Sequence, residues 1–211
     1  MATLYPDRYR RGSLLALVAA SALLGFFPGH AANADREQIL IDGENLKLNL
    51  NAGTRSLDKL VLRQGTSVIR AKQGSGREDG ANDSTWDVKG EVHIEFNGAV
   101  MDADAATVKF VDNRLKTVHV QGAPARFSHP LKTGDRVVKG RAAIIDYDNA
   151  TALVQFSGGT QFEDGRNQIT TKELTYNIND SSVSSGGRSQ GILQPGSRVP
   201  TPKTPDRKTA Q

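Results

Sequence analysis

The stretch Trp86-Asp87-Val88-Lys89-Gly90-Glu91-Val92-His93-Ile94-Glu95-Phe96 decides the fold. Trp86, Val88, Val92, Ile94 and Phe96 alternate with Asp87, Lys89, Glu91, His93 and Glu95, and only Gly90 interrupts the apolar series. A period of two puts the apolar side chains on one side of an extended strand and the charges on the other. Shorter runs of the same kind are Leu46/Leu48/Leu50, Ala106/Val108/Phe110, Val118/Val120, Ile145/Tyr147, Val154/Phe156 and Leu174/Tyr176/Ile178. Turn-forming residues stand between them: Asn51-Ala52-Gly53, Asp112-Asn113, Asp148-Asn149 and Asn179-Asp180. Beyond the N-terminal segment no stretch holds a 3.6-residue period over three turns, so the pattern predicts an all-β fold.

The strands form a repeat. Gly43–Leu48, Ala103–Val108, Ala142–Tyr147 and Thr171–Tyr176 share the form small-x-x-apolar-x-apolar. Each is followed by a turn and a second strand expected to end near a glycine, at Gly65, Gly122, Gly158 and Gly187. Recurrence of the small residue together with the glycine favours hairpins stacked in near-identical layers, as in a solenoid or a long jelly roll. Gly74–Thr85 is polar and glycine-rich and is expected to be a mobile loop.

Both ends of the chain read differently. Arg8, Arg10 and Arg11 precede an apolar run from Leu14 to Phe27, then Pro28-Gly29, then Ala32-Asn33-Ala34. Basic start, short apolar core and small residues are the order of a secretory signal peptide, so residues 1–34 are expected to be removed, with cleavage after Ala31 as a variant. A retained anchor is the competing reading, but the run is short of the ~20 apolar residues that span a bilayer. Pro195, Pro200, Pro202 and Pro205 gather among Lys and Arg where apolar residues thin out, and residues 191–211 are expected to be a disordered tail. The 211-residue chain has no Cys and a formal charge of +4, reduced to near +2 without residues 1–34. So small an excess gives no argument for nucleic acid, and without Cys the fold rests on its own core.

Signals for catalysis are weak. His30, His93, His119 and His129 lack metal-ligand spacing and read as solvated surface histidines, His30 leaving with the signal peptide. Asp146 and Asp148 share a face but lead into a turn. Ser157-Gly158-Gly159 and Ser185-Gly186-Gly187 read as turn glycines at strand ends, with no helix following to cradle a phosphate. Nothing calls for a metal or a cofactor, and the chain is not expected to be an enzyme. The apolar faces carry more information, and two arrangements satisfy them. They close into an ordinary core, or they line an open groove suited to acyl chains.

Lys89–Phe110 (KGEVHIEFNGAVMDADAATVKF) and Val137–Gly187, including VKGRA leading to Tyr147 and Ile169–Tyr176 (ITTKELTY), resemble the OstA-like family of lipopolysaccharide-transport proteins of the periplasm. The similarity spans Ile39 to Gly187 and holds no catalytic motif. It implies a twisted, open β-jelly roll over residues 35–190, with the acyl chains of lipid A on the inside and the sugars outside. The side chains expected to line that interior are Trp86, Val92, Ile94, Phe96, Val108, Phe110, Val120, Phe156, Leu174 and Tyr176. The resemblance also implies partners at the edge strands: a membrane-anchored LptC-like protein, an outer-membrane LptD-like protein, and further copies of the chain stacked head to tail. Gln38–Leu50 and Ile169–Ile178 are the expected assembly edges, since open sheet edges carry unpaired backbone groups.

Other readings are an anchored LptC-like component of the same bridge, a polysaccharide-acting β-helix enzyme and a purely structural β-repeat. The enzyme would need acids or arginines clustered along one groove, and the charges here alternate with apolar residues instead. Export is directly testable. N-terminal sequencing of the periplasmic fraction should give Asp35 or Ala32 as the first residue, and an intact Met1 form in carbonate-washed inner membrane would reject cleavage.

Overall fold

The computed structural model describes residues 38–132 and 135–193. The expected signal peptide and residues 194–211 of the expected tail lie outside the described residues. Ten strands follow one another: β1 Leu40–Asn49, β2 Thr54–Gln64, β3 Ser67–Glu78, β4 Ser84–Phe96, β5 Ala99–Val111, β6 Arg114–Pro130, β7 Val137–Asp148, β8 Leu153–Glu163, β9 Gln168–Asn177 and β10 Val183–Ile192. They form one antiparallel sheet in chain order, with β1 and β10 as its two open edges. The fold is all-β, as the alternation predicts.

A single sheet has two faces, and one of these is mainly apolar from β2 to β9. One row of directly opposed residues runs Leu48, Arg55, Gly76, Trp86, Val108, Val118, Tyr147, Val154, Tyr176, Val183 across all ten strands. A second runs Ile41, Leu62, Ile69, Ile94, Met101, Phe127, Gly140, Phe162, Ile169, Gly191. Apart from the edge strands, most of these residues are fully buried. No second element exists among the described residues to cover them, so the sheet must cover itself.

It does so by bending every strand near its middle. The ladders slip between Lys89 and Val92 of β4, Gln121 and Ala125 of β6, Ser157 and Thr160 of β8, and Gly186 and Ser189 of β10. Each slip is a bulge in an even-numbered strand, which bends the chain and sharpens its twist. Gly90 (φ 78°) and the pair Gly158 and Gly159 (φ 80° and 91°) supply left-handed backbone that other residues rarely adopt. Facing them, the odd strands carry Ala103, Ala142 and Thr171, small enough to sit inside the bend. The line of bulges is a crease that divides the sheet into two leaves facing each other.

This crease is the repeat seen in the sequence, in a different place from the one expected. Gly122, Gly158 and Gly187 do not close their strands, which continue to Pro130, Glu163 and Ile192. Ser157-Gly158-Gly159 and Ser185-Gly186-Gly187 lie within strands, not at turns. Gly65 alone occupies a turn, between β2 and β3. The expected loop Gly74–Thr85 is also mostly strand: β3 reaches Glu78 and β4 begins at Ser84. Its glycines serve packing, since a Cβ on Gly76 would lie 2.7 Å from the Trp86 ring and one on Gly74 would lie 2.1 Å from Leu60. The C-terminal edge differs from expectation too. Ile169–Ile178 covers β9, paired on both sides, and the free edge is β10.

Trp86 is the only tryptophan, so its emission reports on this packing. Gly76→Ala should push the indole from its seat, shift its fluorescence and cost about 1–3 kcal/mol in urea unfolding. Unchanged emission and stability would show that the ring has room to move.

Candidate functional site

The space between the leaves is the one place where the fold concentrates a chemical character. All ten side chains expected to line an interior lie there: Trp86, Val92, Ile94, Phe96, Val108, Phe110, Val120, Phe156, Leu174 and Tyr176 are each at most 2% exposed. They belong to one cluster with residues the first reading left out, among them Leu57, Leu60, Leu62, Met101, Phe127 and Phe162. Leu57–Leu62 escapes a strict period of two because Lys59 (φ 49°) bulges within it. Phe127 was findable, since Ala125, Phe127 and His129 alternate.

The interior is not uniform. Around β2–β4 it is mainly aliphatic, with Leu60, Leu62, Ile69, Val88 and Ile94. Toward β9 it becomes aromatic. Phe127 meets Phe156 and Tyr176 edge-on at centroid distances of 5.5 and 5.8 Å, and Phe162 lies 5.6 Å from Tyr176. Phe96 and Tyr147 come within 4.1 Å across the two leaves. Such pairs add about 0.5–1.5 kcal/mol beyond the area they bury.

Opposite the crease, the turns of one leaf meet the turns of the other and are latched. Gln64 at the end of β2 accepts from the Leu115 N–H at 2.9 Å and donates to the Asn113 carbonyl. Asn97, in the β4–β5 turn, donates to the Tyr147 hydroxyl at 2.8 Å, which donates onward to Asn149 at 2.8 Å. Near the β6–β7 turn, Lys132 donates to the Asn179 carbonyl at 3.0 Å, and His129 and Tyr176 share a hydrogen bond of 2.8 Å. The three latches recur about every second hairpin and close a seam along the free rim. The neutral bonds of the Gln64 and Asn97 latches are each worth ~1 kcal/mol net.

His129 corrects the reading of the histidines as surface groups. It is 4% exposed, on the inner face, while His93 and His119 lie on the outer face against Asp102 and Asp146. Burial, helped by nearby Lys132, lowers the His129 pKa, and burial raises that of the Tyr176 hydroxyl. Asp148 is a turn residue as expected, its carboxylate accepting from the backbone of Ala150 and Thr151 and held below the usual range chiefly by the Thr151 N–H. Among the described residues no group of three or more His, Cys, Asp or Glu stands where it could hold a metal.

The two edges complete the site. On β1 the inward positions are apolar and open to solvent: Ile41 is 39% exposed and Leu48 55%, with Leu46 and Leu50 on the same side by alternation. On β10 the inward positions opposite Tyr176, Leu174, Thr171 and Ile169 are Val183, Ser185, Ser189 and Gly191. The interior therefore runs from an aliphatic mouth to one of small and hydroxyl side chains.

A creased sheet with an apolar interior and two unpaired edge strands is an open β-jelly roll. Residues 40–182 match the model of the family described as LptA/(LptD N-terminal domain) LPS transport protein. The chain belongs to that family, which bears out the OstA-like resemblance and makes it an LptA-like component of lipopolysaccharide transport. Among solved structures it is similar to LptH, the LptA-homologous periplasmic component of the lipopolysaccharide transport device of Pseudomonas aeruginosa. That match has 16% identity and a TM-score of 0.42 and covers 76% of this chain and 99% of the other. No curated protein matches.

The sign of the His129 effect follows from its lowered pKa. As pH falls through the histidine range the unfolded chain takes the proton first, so stability present above the ordinary histidine value is lost on acidification. The urea midpoint should drop between pH 7.5 and pH 5, and His129→Gln should flatten that drop. Parallel pH profiles for both proteins would exclude His129 as the cause.

Proposed function

We propose that this chain is a periplasmic carrier that holds the acyl chains of lipopolysaccharide between its two leaves and passes the lipid from the inner to the outer membrane without covalent chemistry. The observation that carries the reading is the apolar interior, which runs continuously from β2 to β9 and lies open at an unpaired strand on each side. A closed core would serve stability equally well, but it would not need an exposed aliphatic mouth at Ile41, Leu46, Leu48 and Leu50. Membership of a lipopolysaccharide-transport family supports the choice of cargo.

The unloaded interior is filled by its own side chains. Acyl chains enter only if the leaves part, and the seam of Gln64, Asn97 and Lys132 is where they are joined by a few side-chain bonds instead of continuous backbone. Parting exchanges contacts between leaves for contacts with lipid. A buried methylene is worth about 0.8 kcal/mol relative to water, but the lipid arrives from another apolar setting. The exchange is therefore close to balanced, and the direction of transport is imposed from outside the chain.

Edge strands supply the partners. A membrane-anchored LptC-like sheet, an outer-membrane LptD-like sheet or another copy of this chain, added to β1 or β10, would satisfy the open backbone and prolong the interior. An added strand at β1 would also cover its exposed leucines.

A photocrosslinker at Ile94, on the inner face, should capture lipopolysaccharide, and one at Glu95, on the outer face, should not. The chain has no cysteine, so Asn97→Cys with Asn149→Cys can be joined by a short bis-thiol reagent to lock the seam. Locking should abolish capture at Ile94, whereas a linked pair within one leaf should leave it intact. Equal capture at both positions would sink the interior as the lipid site, and capture unaffected by the lock would sink side entry.

A further inference from the structure

The inner row from Leu48 to Val183 contains aliphatic, aromatic and glycine positions and a single charged one, Arg55. Its side chain is 23% exposed and its guanidinium lies 5.7 Å from the centre of the Trp86 ring. One nitrogen, Nη2, donates to Glu78 Oε1 at 2.5 Å. The Nε atom is buried and has no hydrogen-bond partner. A buried N–H of a charged group left without an acceptor is costly, and a site that keeps one is short of an oxygen.

The missing oxygen has a definite geometry. Nε and Nη2 present two parallel N–H groups along one edge of the guanidinium, matched to two oxygens of one phosphate or carboxylate. Glu78 takes one tooth of that fork. Its own side chain is 60% exposed and free to swing into water. Arg55, Glu78 and Trp86 line an open cavity of about 510 Å³ with Gln38, Ile39, Ile41 and Asp83, whose carboxylate already accepts from the Asp112 N–H at 2.9 Å. The cavity thus joins both leaves at the β1 mouth, beside the exposed aliphatic side chains.

We propose that this mouth is an anion site for the phosphate of a phosphorylated glycolipid. Arg55 holds the phosphate through Nε and Nη2, the acyl chains lie past Trp86 along the inner row, and Glu78 occupies the fork when the site is empty. The cation is built into the apolar wall, so the ligand is an amphiphile with phosphate and hydrocarbon side by side, not a free anion. This deepens the carrier reading and rests on it.

Trp86 emission in the full-length mature chain reports binding at this site, and photocrosslinking at Ile94 reports lipid in the interior independently. The probes are lipid A carrying both phosphates, enzymatically dephosphorylated lipid A, and inorganic phosphate. Arg55→Gln should weaken binding of the phosphorylated lipid about tenfold and leave the dephosphorylated lipid unchanged. Arg55→Lys, which keeps the charge and loses the fork, should recover only part of the loss. Glu78→Gln removes the competitor and should tighten the phosphorylated lipid several-fold, a gain that unfolding could not mimic. Circular dichroism accompanies each variant.

Both lipids captured at Ile94 with equal affinity, whatever stands at 55 or 78, would overturn the phosphate site and leave the carrier standing. Inorganic phosphate alone producing the full Trp86 response, with no advantage to the lipid, would overturn the amphiphile assignment. Capture of neither lipid at Ile94 would overturn the carrier reading and the site together.

Discussion

A single antiparallel sheet with one largely apolar face cannot stand in water, and the crease is how this chain meets that constraint. Ten strands of alternating sequence generate a broad face bearing Trp, Phe, Ile, Leu and Val, and no helix or second sheet among the described residues covers it. Bulges placed at the same depth in β4, β6, β8 and β10 let the face fold onto itself. Each bulge leaves two half-strands that stay in one ladder but point their apolar sides at each other. Rows of opposed residues can then run unbroken through every strand, and the interior keeps the same cross-section from hairpin to hairpin. Deleting the extra residue of one bulge would turn half a strand inside out.

Folding on a crease leaves two features that a closed barrel would lack. One is the pair of edges, which differ chemically although the sheet is built from repeated hairpins. Inward positions of β1 are leucine and isoleucine, whereas those of β10 are mostly serine and glycine, so an incoming strand meets a sticky surface at one end and a slim one at the other. A head-to-tail contact would use two unlike surfaces, and contacts of that kind do not close on themselves. The other is the seam. Along the crease the leaves share backbone, but along the rim the described residues join them through side-chain hydrogen bonds at Gln64, Asn97, His129 and Lys132 and the ring contacts behind them. The weakest boundary of the interior is therefore its long side.

Period-two alternation made the strands and the inner face legible in the sequence, and it placed Trp86, Ile94, Phe96 and Val108 on one face before any coordinates. The recurring small residue and glycine were legible as a repeat, but their role was not. A glycine between two strands and a glycine at a bulge within one long strand look alike in a sequence, because both ask for backbone with positive φ. Gly158-Gly159 therefore read as a turn, although the ladder on both sides continues past it. The stretch around Gly74 and Gly76 misled for the opposite reason. Those glycines leave room for Leu60 and Trp86, a demand set by side chains distant in sequence. Arg55 was hidden in the same way, since its inward direction depends on its register with Leu48 and Gly76, in strands on either side.

On the proposed carrier reading the interior is two things by turns: a dry core when the chain is alone and a sheath for hydrocarbon when it carries lipid. Those states compete on nearly equal terms, because both surround apolar side chains with apolar atoms. What distinguishes them is the polar trim. Hydrogen bonds along the seam favour the closed form by a few kcal/mol at most, and unpaired backbone at β1 and β10 favours contact with another sheet. The seam bonds span between hairpins three strands apart: Gln64 of β2 to the β5–β6 turn, Asn97 to the β7–β8 turn, Lys132 to the β9–β10 turn. Each latch thus ties an element nearer one edge to one nearer the other.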